Sequence, residues 1–121
     1  MGSSFAATAL VVDDDEPLRL LVRVNLELDG FSVREAATLE AADEAVRAER
    51  PDVVLLDMHL GGQDSTPLLL RLRSSGIPVA VVTGSADSSQ YVGVADAVLA
   101  KPFVPASLVD VARRLARVGR V

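Results

Sequence analysis

Four short apolar runs in this chain each end on a polar side chain, and that pattern restricts the fold more than any other. Ala9-Leu10-Val11-Val12 ends on Asp13 and Asp14, Val53-Val54-Leu55-Leu56 on Asp57, Val79-Ala80-Val81-Val82 on Thr83, and Val98-Leu99-Ala100 on Lys101. Runs that are apolar throughout, rather than alternating, suit strands covered on both faces, as in a parallel sheet. Helix-like stretches separate them, and the two kinds of segment alternate five times. That order predicts an α/β domain with crossover helices on both faces of one sheet. The carboxyl ends of parallel strands lie along one edge, where open α/β folds hold their ligands. Three acids, a hydroxyl and an ammonium would then meet.

The connecting segments carry their own signals. Pro17 opens a first helix and Gly30 closes it, after which Phe31-Ser32-Val33-Arg34 alternates as a half-exposed edge strand does. Thr38 is the expected N-cap of a helix through Ala48, broken by Pro51-Asp52. Thr66-Pro67 opens a further helix that Gly76 ends. Pro105 to Val118 is amphipathic, with Leu108, Val111, Ala112 and Leu115 opposite Arg113, Arg114 and Arg117. Those arginines read as cations offsetting the helix dipole rather than as a basic partner site. Between Thr83 and Val98, Ser85, Ser88, Ser89 and Gly93 leave room for little helix. On the first helix Leu18, Leu21, Val22 and Leu28 suit a core face, while Leu20 and Val24 widen the apolar arc beyond it.

A chain of 121 residues is large enough for one domain with one core. With half the residues apolar but only three Phe and one Tyr, the core must be Val, Leu and Ala packed between layers. The absence of cysteine excludes disulfides and thiolate chemistry. A net charge of −5 argues against nucleic-acid binding, which needs a basic face. No apolar stretch approaches the roughly 20 residues of a membrane helix. Met1-Gly2-Ser3-Ser4 lacks the basic start of a secretory signal. Cytoplasm is the expected compartment, and residues 1–6 are expected to be flexible.

Lys101 is the sole lysine, every other basic residue being arginine. A compact ammonium at the end of a buried strand must find an anion. Asp13, Asp14 and Asp57 gathered together would repel one another, so their clustering is favourable mainly around a divalent cation. Oxygen-only ligands indicate Mg²⁺, or Mn²⁺ in its place. Mg²⁺ commonly bridges one or two protein carboxylates to a phosphate, which points to a phosphoryl ligand and to Asp57 as the nucleophile of an aspartyl phosphate. Such a transfer needs positioning and charge neutralisation, for which Lys101 and the Thr83 hydroxyl are available. An Asp after a strand or a Lys-Pro loop is ordinary alone; the joint placement carries the reading. His59, the only histidine, reads as a bystander rather than a catalytic imidazole.

Leu10-Val11-Val12-Asp13-Asp14-Asp15, Leu55-Leu56-Asp57-Met58, Val82-Thr83-Gly84 and Lys101-Pro102-Phe103 resemble bacterial response-regulator receiver domains, and the resemblance covers essentially all of residues 1–121. It implies a single three-layer α/β/α doubly wound domain of flavodoxin-like type. Its five-stranded parallel sheet would have the order 2-1-3-4-5, here with a short or degenerate fourth helix. The resemblance makes Asp57 the phosphoacceptor. It gives Asp14, Asp57 and the His59 backbone carbonyl to Mg²⁺, and Asp13 to a metal-bound water. Thr83 becomes the switch hydroxyl and Lys101 the phosphoryl-contacting lysine. Asp15 and Glu16 read as first-turn acids. The implied partners are a histidine kinase or histidine phosphotransfer protein and a downstream protein, with no direct nucleic-acid binding, no membrane, and a homodimer as one candidate assembly. The chain would be a phosphorelay switch rather than a metabolic enzyme.

The chain departs from the family pattern at several points. Gly61 stands where proline is usual, Ser65 where glycine is usual and Val98 where an aromatic switch residue is usual, while the segment from Thr83 to Lys101 is about one helical turn short. Leu20 and Val24, beside a stripe of Arg19, Arg23 and Glu27, have two equal readings: they help dock the kinase's helices, or they are extra packing against the last helix. Two other readings compete: a haloacid-dehalogenase-like phosphatase using Asp13-x-Asp15, and a receiver-like interaction module that is never phosphorylated. A chain ending directly after its last amphipathic helix is expected to be a stand-alone regulator or an excised module.

Overall fold

A computed structural model describes residues 7–118; the expectation for residues 1–6 lies outside that range. Strands β1 (Thr8–Val12), β2 (Ser32–Ala36), β3 (Val53–Asp57), β4 (Val79–Gly84) and β5 (Ala97–Lys101) form one sheet in the order β2-β1-β3-β4-β5. Every pairing in it is parallel. Strand alternation then divides the core in two. Leu10, Val12, Val54, Leu56, Val79 and Val81 face a layer built by α2 (Leu39–Ala48) and α3 (Thr66–Ser74). Ala9, Val11, Val33, Val53, Leu55 and Ala80 face α1 (Glu16–Leu28) and α4 (Pro105–Val118). All five residues of β3 are buried, and each fully buried Leu or Val contributes about 1.5–3 kcal/mol.

Helix boundaries follow their capping chemistry. Thr38 accepts a hydrogen bond from Ala41 N at 3.0 Å and starts α2, which ends at Ala48. Asp15 is the N-cap of α1 rather than a first-turn acid, accepting from Leu18 N at 3.3 Å. The core face of α1 is narrower than its apolar arc. Val22 and Leu26 are buried and Leu18 is half-buried, whereas Leu21 and Leu28 are exposed with Leu20 and Val24. The reason is angular: Leu18, Val22 and Leu26 stack at i, i+4, and Leu21 lies about 100° round the helix from Val22. On α4, Arg113 Nε donates to Asp29 Oδ2 at 3.1 Å, so that arginine ties α4 to the end of α1.

Two connections differ from regular crossovers. Between β4 and β5 the chain makes a 3₁₀ helix, Ser85–Tyr91, which matches the expected short fourth helix. Between β3 and α3 a hairpin pairs His59–Leu60 with Gln63–Asp64. Its two-residue turn is Gly61-Gly62 with φ +53 and +81, the backbone such a turn demands and glycine supplies. Proline, fixed near φ −65°, could not take this turn.

Candidate functional site

Register brings the strand ends together. β1, β3, β4 and β5 run parallel with Val12 beside Leu56, Asp57 beside Val82 and Thr83 beside Ala100. Asp13, Asp57, Thr83 and Lys101 therefore emerge at one edge. Among the described residues the buried polar or charged side chains are Asp13, Asp57, Ser65 and Thr83, and all four belong to this edge. Burying polar groups costs free energy unless they are paired, and elsewhere the fold avoids it.

Asp13, Asp14 and Asp57 each offer one carboxylate oxygen, and these three atoms lie within 4.8 Å of one another. Lys101 Nζ sits between two of them, 3.5 Å from Asp13 Oδ2 and 3.7 Å from Asp57 Oδ1. Asp13 Oδ1 accepts from Asp15 N at 2.9 Å, Asp14 Oδ2 from Gly61 N at 2.9 Å, and Asp57 Oδ1 from His59 N at 3.3 Å. One ammonium thus faces three acids. Burial pushes the Asp57 carboxyl above the ordinary carboxylate range, the Asp13 charge pushes it further, and Lys101 only partly opposes them. An oxygen-only donor set with negative charge in excess fits a hard divalent cation. Thr83 Oγ1 is buried with no hydrogen-bond partner, a deficit of about 1–3 kcal/mol that an arriving acceptor oxygen would relieve.

Sequence reasoning singled out Ser65 only as a departure. Ser65 is fully buried, and although it stands at the N-cap of α3 its hydroxyl makes no cap hydrogen bond. It donates instead to the Asp57 carbonyl at 2.7 Å, while Asp64 Oδ1 accepts from Thr66 N and Thr66 Oγ1 at 3.0 and 2.7 Å. The available signal was a small hydroxyl residue eight positions after the central acid, just ahead of a helix.

Other side chains named from the sequence lie around the cluster. The His59 ring is exposed, with Nε2 3.6 Å from Asp87 Oδ2. Asp15 is exposed and engaged as a cap, so the phosphatase reading lacks its general acid. Val98 is half-buried and packs against the cluster that contains Tyr91. Leu20 and Val24 are exposed as expected, but Arg19 is not part of the surface stripe. Only 14 % of its side chain is exposed, because it turns inward toward Asp13 and Glu35.

A family model described as response regulator receiver domain matches residues 9–113. The transcriptional regulatory protein CseB of Streptomyces coelicolor is 38% identical over 113 residues, 89% of this chain and 48% of that protein. The DNA-binding response regulator MtrA of Mycobacterium tuberculosis is 38% identical over 116 residues, 92% of this chain and 50% of that protein. The chain spans about half the length of these curated relatives. NtrX from Brucella abortus in complex with ADP superposes with a TM-score of 0.87 at 30% identity, over 96% of this chain and 28% of that one. A CheY-like response regulator receiver domain protein from Methanospirillum hungatei gives 0.85 at 25% identity, over 96% of this chain and 98% of that one. Among the described residues no helix is long and apolar enough to cross a membrane.

Proposed function

Since this chain belongs to the response regulator receiver domain family, we propose that it is a phosphoacceptor switch of a two-component phosphorelay, and that Asp57 carries the phosphoryl group. The observation that supports Asp57 is its position: a buried acid at the end of the central strand, sharing the sole lysine with a second buried acid. The phosphoryl donor is a histidine kinase or histidine phosphotransfer protein, and the chain serves it as a substrate in the cytoplasm rather than as a metabolic enzyme. The exposed Leu20 and Val24 on α1 are where the donor's helices dock.

Each residue then has a task. Asp57 in its ionised form attacks phosphorus: an oxygen–phosphorus bond forms, the phosphorus–nitrogen bond of the phosphohistidine breaks, and its electron pair stays on the imidazole nitrogen. Lys101, already within 4 Å of Asp57 Oδ1, moves its charge onto a phosphoryl oxygen. The Thr83 hydroxyl, without a partner beforehand, donates to another, which makes its position depend on phosphorylation. Asp14, Asp57 and the His59 carbonyl would hold Mg²⁺, with Asp13 supporting it through water. Bound there, the ion neutralises charge on the transferring oxygens.

Incubation with acetyl phosphate or phosphoramidate and Mg²⁺ tests the reading. The expected product carries one phosphoryl group on Asp57, stable in acid and labile in base, and is lost in Asp57→Asn. Labelling that survives Asp57→Asn assigns the acceptor elsewhere. Turnover of a small phosphate ester favours the phosphatase reading instead, and no adduct with any donor favours the contact-only module.

A further inference from the structure

Arg19 was expected on the docking surface, and it is not there. Its Nη1 donates to the backbone carbonyl of Asp13 at 2.8 Å and its Nε to Glu35 Oε1 at 3.0 Å. Glu35 on β2 is held in turn by Arg23 Nη1 at 2.8 Å, and Arg23 Nε reaches Glu27 at 3.0 Å. Together Arg19, Glu35, Arg23 and Glu27 sum to zero charge. Chiefly the hydrogen bond from Arg23 holds the Glu35 carboxyl below its usual range, so Glu35 stays ionised. The Arg19 side chain lines the crevice that also contains Asp13, Asp57 and Phe103.

The carbonyl that Arg19 grips belongs to the peptide unit joining Asp13 to Asp14. Rotation of that unit is the soft motion that would swing the Asp14 carboxylate relative to Asp13. The neighbouring restraints act elsewhere: Asp13 N donates to Ala36 O at 3.1 Å, Asp15 N holds the Asp13 side chain, and Gly61 N holds the Asp14 carboxylate at 2.9 Å. Arg19 supplies the restraint on the linking peptide itself. Its planar fork is suited to this because Nε and Nη1 leave it in fixed directions, one to a carboxylate and one to a carbonyl, which an ammonium cannot reproduce.

We infer that Arg19, braced by Glu35, is a positioning residue that sets the relative orientation of Asp13 and Asp14 for divalent-cation binding. The inference rests on the reading of the acid cluster as a Mg²⁺ site. Groups behind metal ligands are typically worth about 10–100-fold in affinity. Charge alone works the other way: removing a cation near the acids would strengthen Mg²⁺ binding. Variants that conserve the charge therefore separate positioning from electrostatics.

The test is direct calorimetric titration of Mg²⁺, with Mn²⁺ binding followed by electron paramagnetic resonance, on the unphosphorylated protein well below its unfolding temperature. The Arg19→Gln/Glu35→Gln double variant preserves net charge, and Arg19→Lys preserves charge at the position itself. Both are expected to bind at least about tenfold more weakly than wild type. A fully folded Arg19→Lys or double variant with wild-type affinity overturns the inference, including where its melting temperature falls, because that outcome leaves Arg19 a merely structural role. If the double variant does not fold, Arg19→Lys alone decides in the same terms. A wild-type protein that binds neither ion sinks the Mg²⁺ site itself, which is a different failure.

Discussion

Removing the charge of Asp57 should stabilise the metal-free protein. One carboxylate oxygen of Asp13 and one of Asp57 lie within 4.8 Å of each other, a repulsion of roughly 3–4 kcal/mol at an effective dielectric constant near 20. Lys101 at 3.7 Å returns about 4–5 kcal/mol on the same scale, so these two interactions nearly cancel. What remains is the more screened charge of exposed Asp14 and the desolvation of a carboxylate whose side chain is 7% exposed. Together they leave a net penalty on the order of 1–2 kcal/mol. Asp57→Asn should therefore raise the melting temperature in EDTA at neutral pH by roughly 4–8 °C for a domain of this size. The pH dependence has a definite sign. Burial and Asp13 raise the folded-state pKa of Asp57, so the stability gained by protonating it is present in acid and lost as pH rises through that raised value. The advantage of Asp57→Asn is thus full at neutral pH and shrinks as pH falls and the wild-type carboxyl protonates. Saturating Mg²⁺ reverses the order, since about 100 Kd of ligand stabilises the wild type by about 2.7 kcal/mol. Thermal melts with and without Mg²⁺ across pH decide the matter. An Asp57→Asn variant no more stable than wild type in EDTA, or one whose advantage is undiminished in acid, refutes the reasoning.

Ser65→Ala leaves the Asp57 carbonyl without its buried donor and should lower stability by about 1–3 kcal/mol, read by urea denaturation, while also slowing acetyl-phosphate labelling. Leu20→Ser should leave stability and acetyl-phosphate labelling unchanged, because the side chain is 58% exposed, yet slow transfer from the cognate kinase; equal kinase transfer removes the docking assignment. Leu26→Ala, at a fully buried position, should cost about 2–5 kcal/mol, whereas Leu28→Ala on the same helix, 82% exposed, should change stability by less than about 0.5 kcal/mol.

The sheet and the acid cluster were legible because both depend on short-range signals. An apolar run buried on both faces has few other places to go, and a polar residue that ends it must lie at the sheet edge. Thr38 and Gly30 likewise announce helix ends through local backbone chemistry. Arg19 was misjudged because sequence shows a helix face but not how far a long side chain can turn back to reach a carbonyl six residues earlier in the chain. Leu21 and Leu28 fit the apolar arc of α1, yet only tertiary packing decides which part of an arc is covered, and it covers Val22, as expected, with Leu26, which was not singled out. Gly61 was noted as a departure, but the hairpin it permits needed Gly62 beside it, both at positive φ. Ser65 was invisible in role because a serine before a helix ordinarily caps it, and here Asp64 accepts from Thr66 instead.

The most direct test of the central claim is a crystal structure of the protein with Mg²⁺ and beryllofluoride. The account predicts beryllium bonded to an Asp57 carboxylate oxygen, the ion held by Asp14 and Asp57, and fluorines met by Lys101 Nζ and Thr83 Oγ1. Beryllofluoride on any other residue, or an acid cluster without a metal at saturating Mg²⁺, contradicts it.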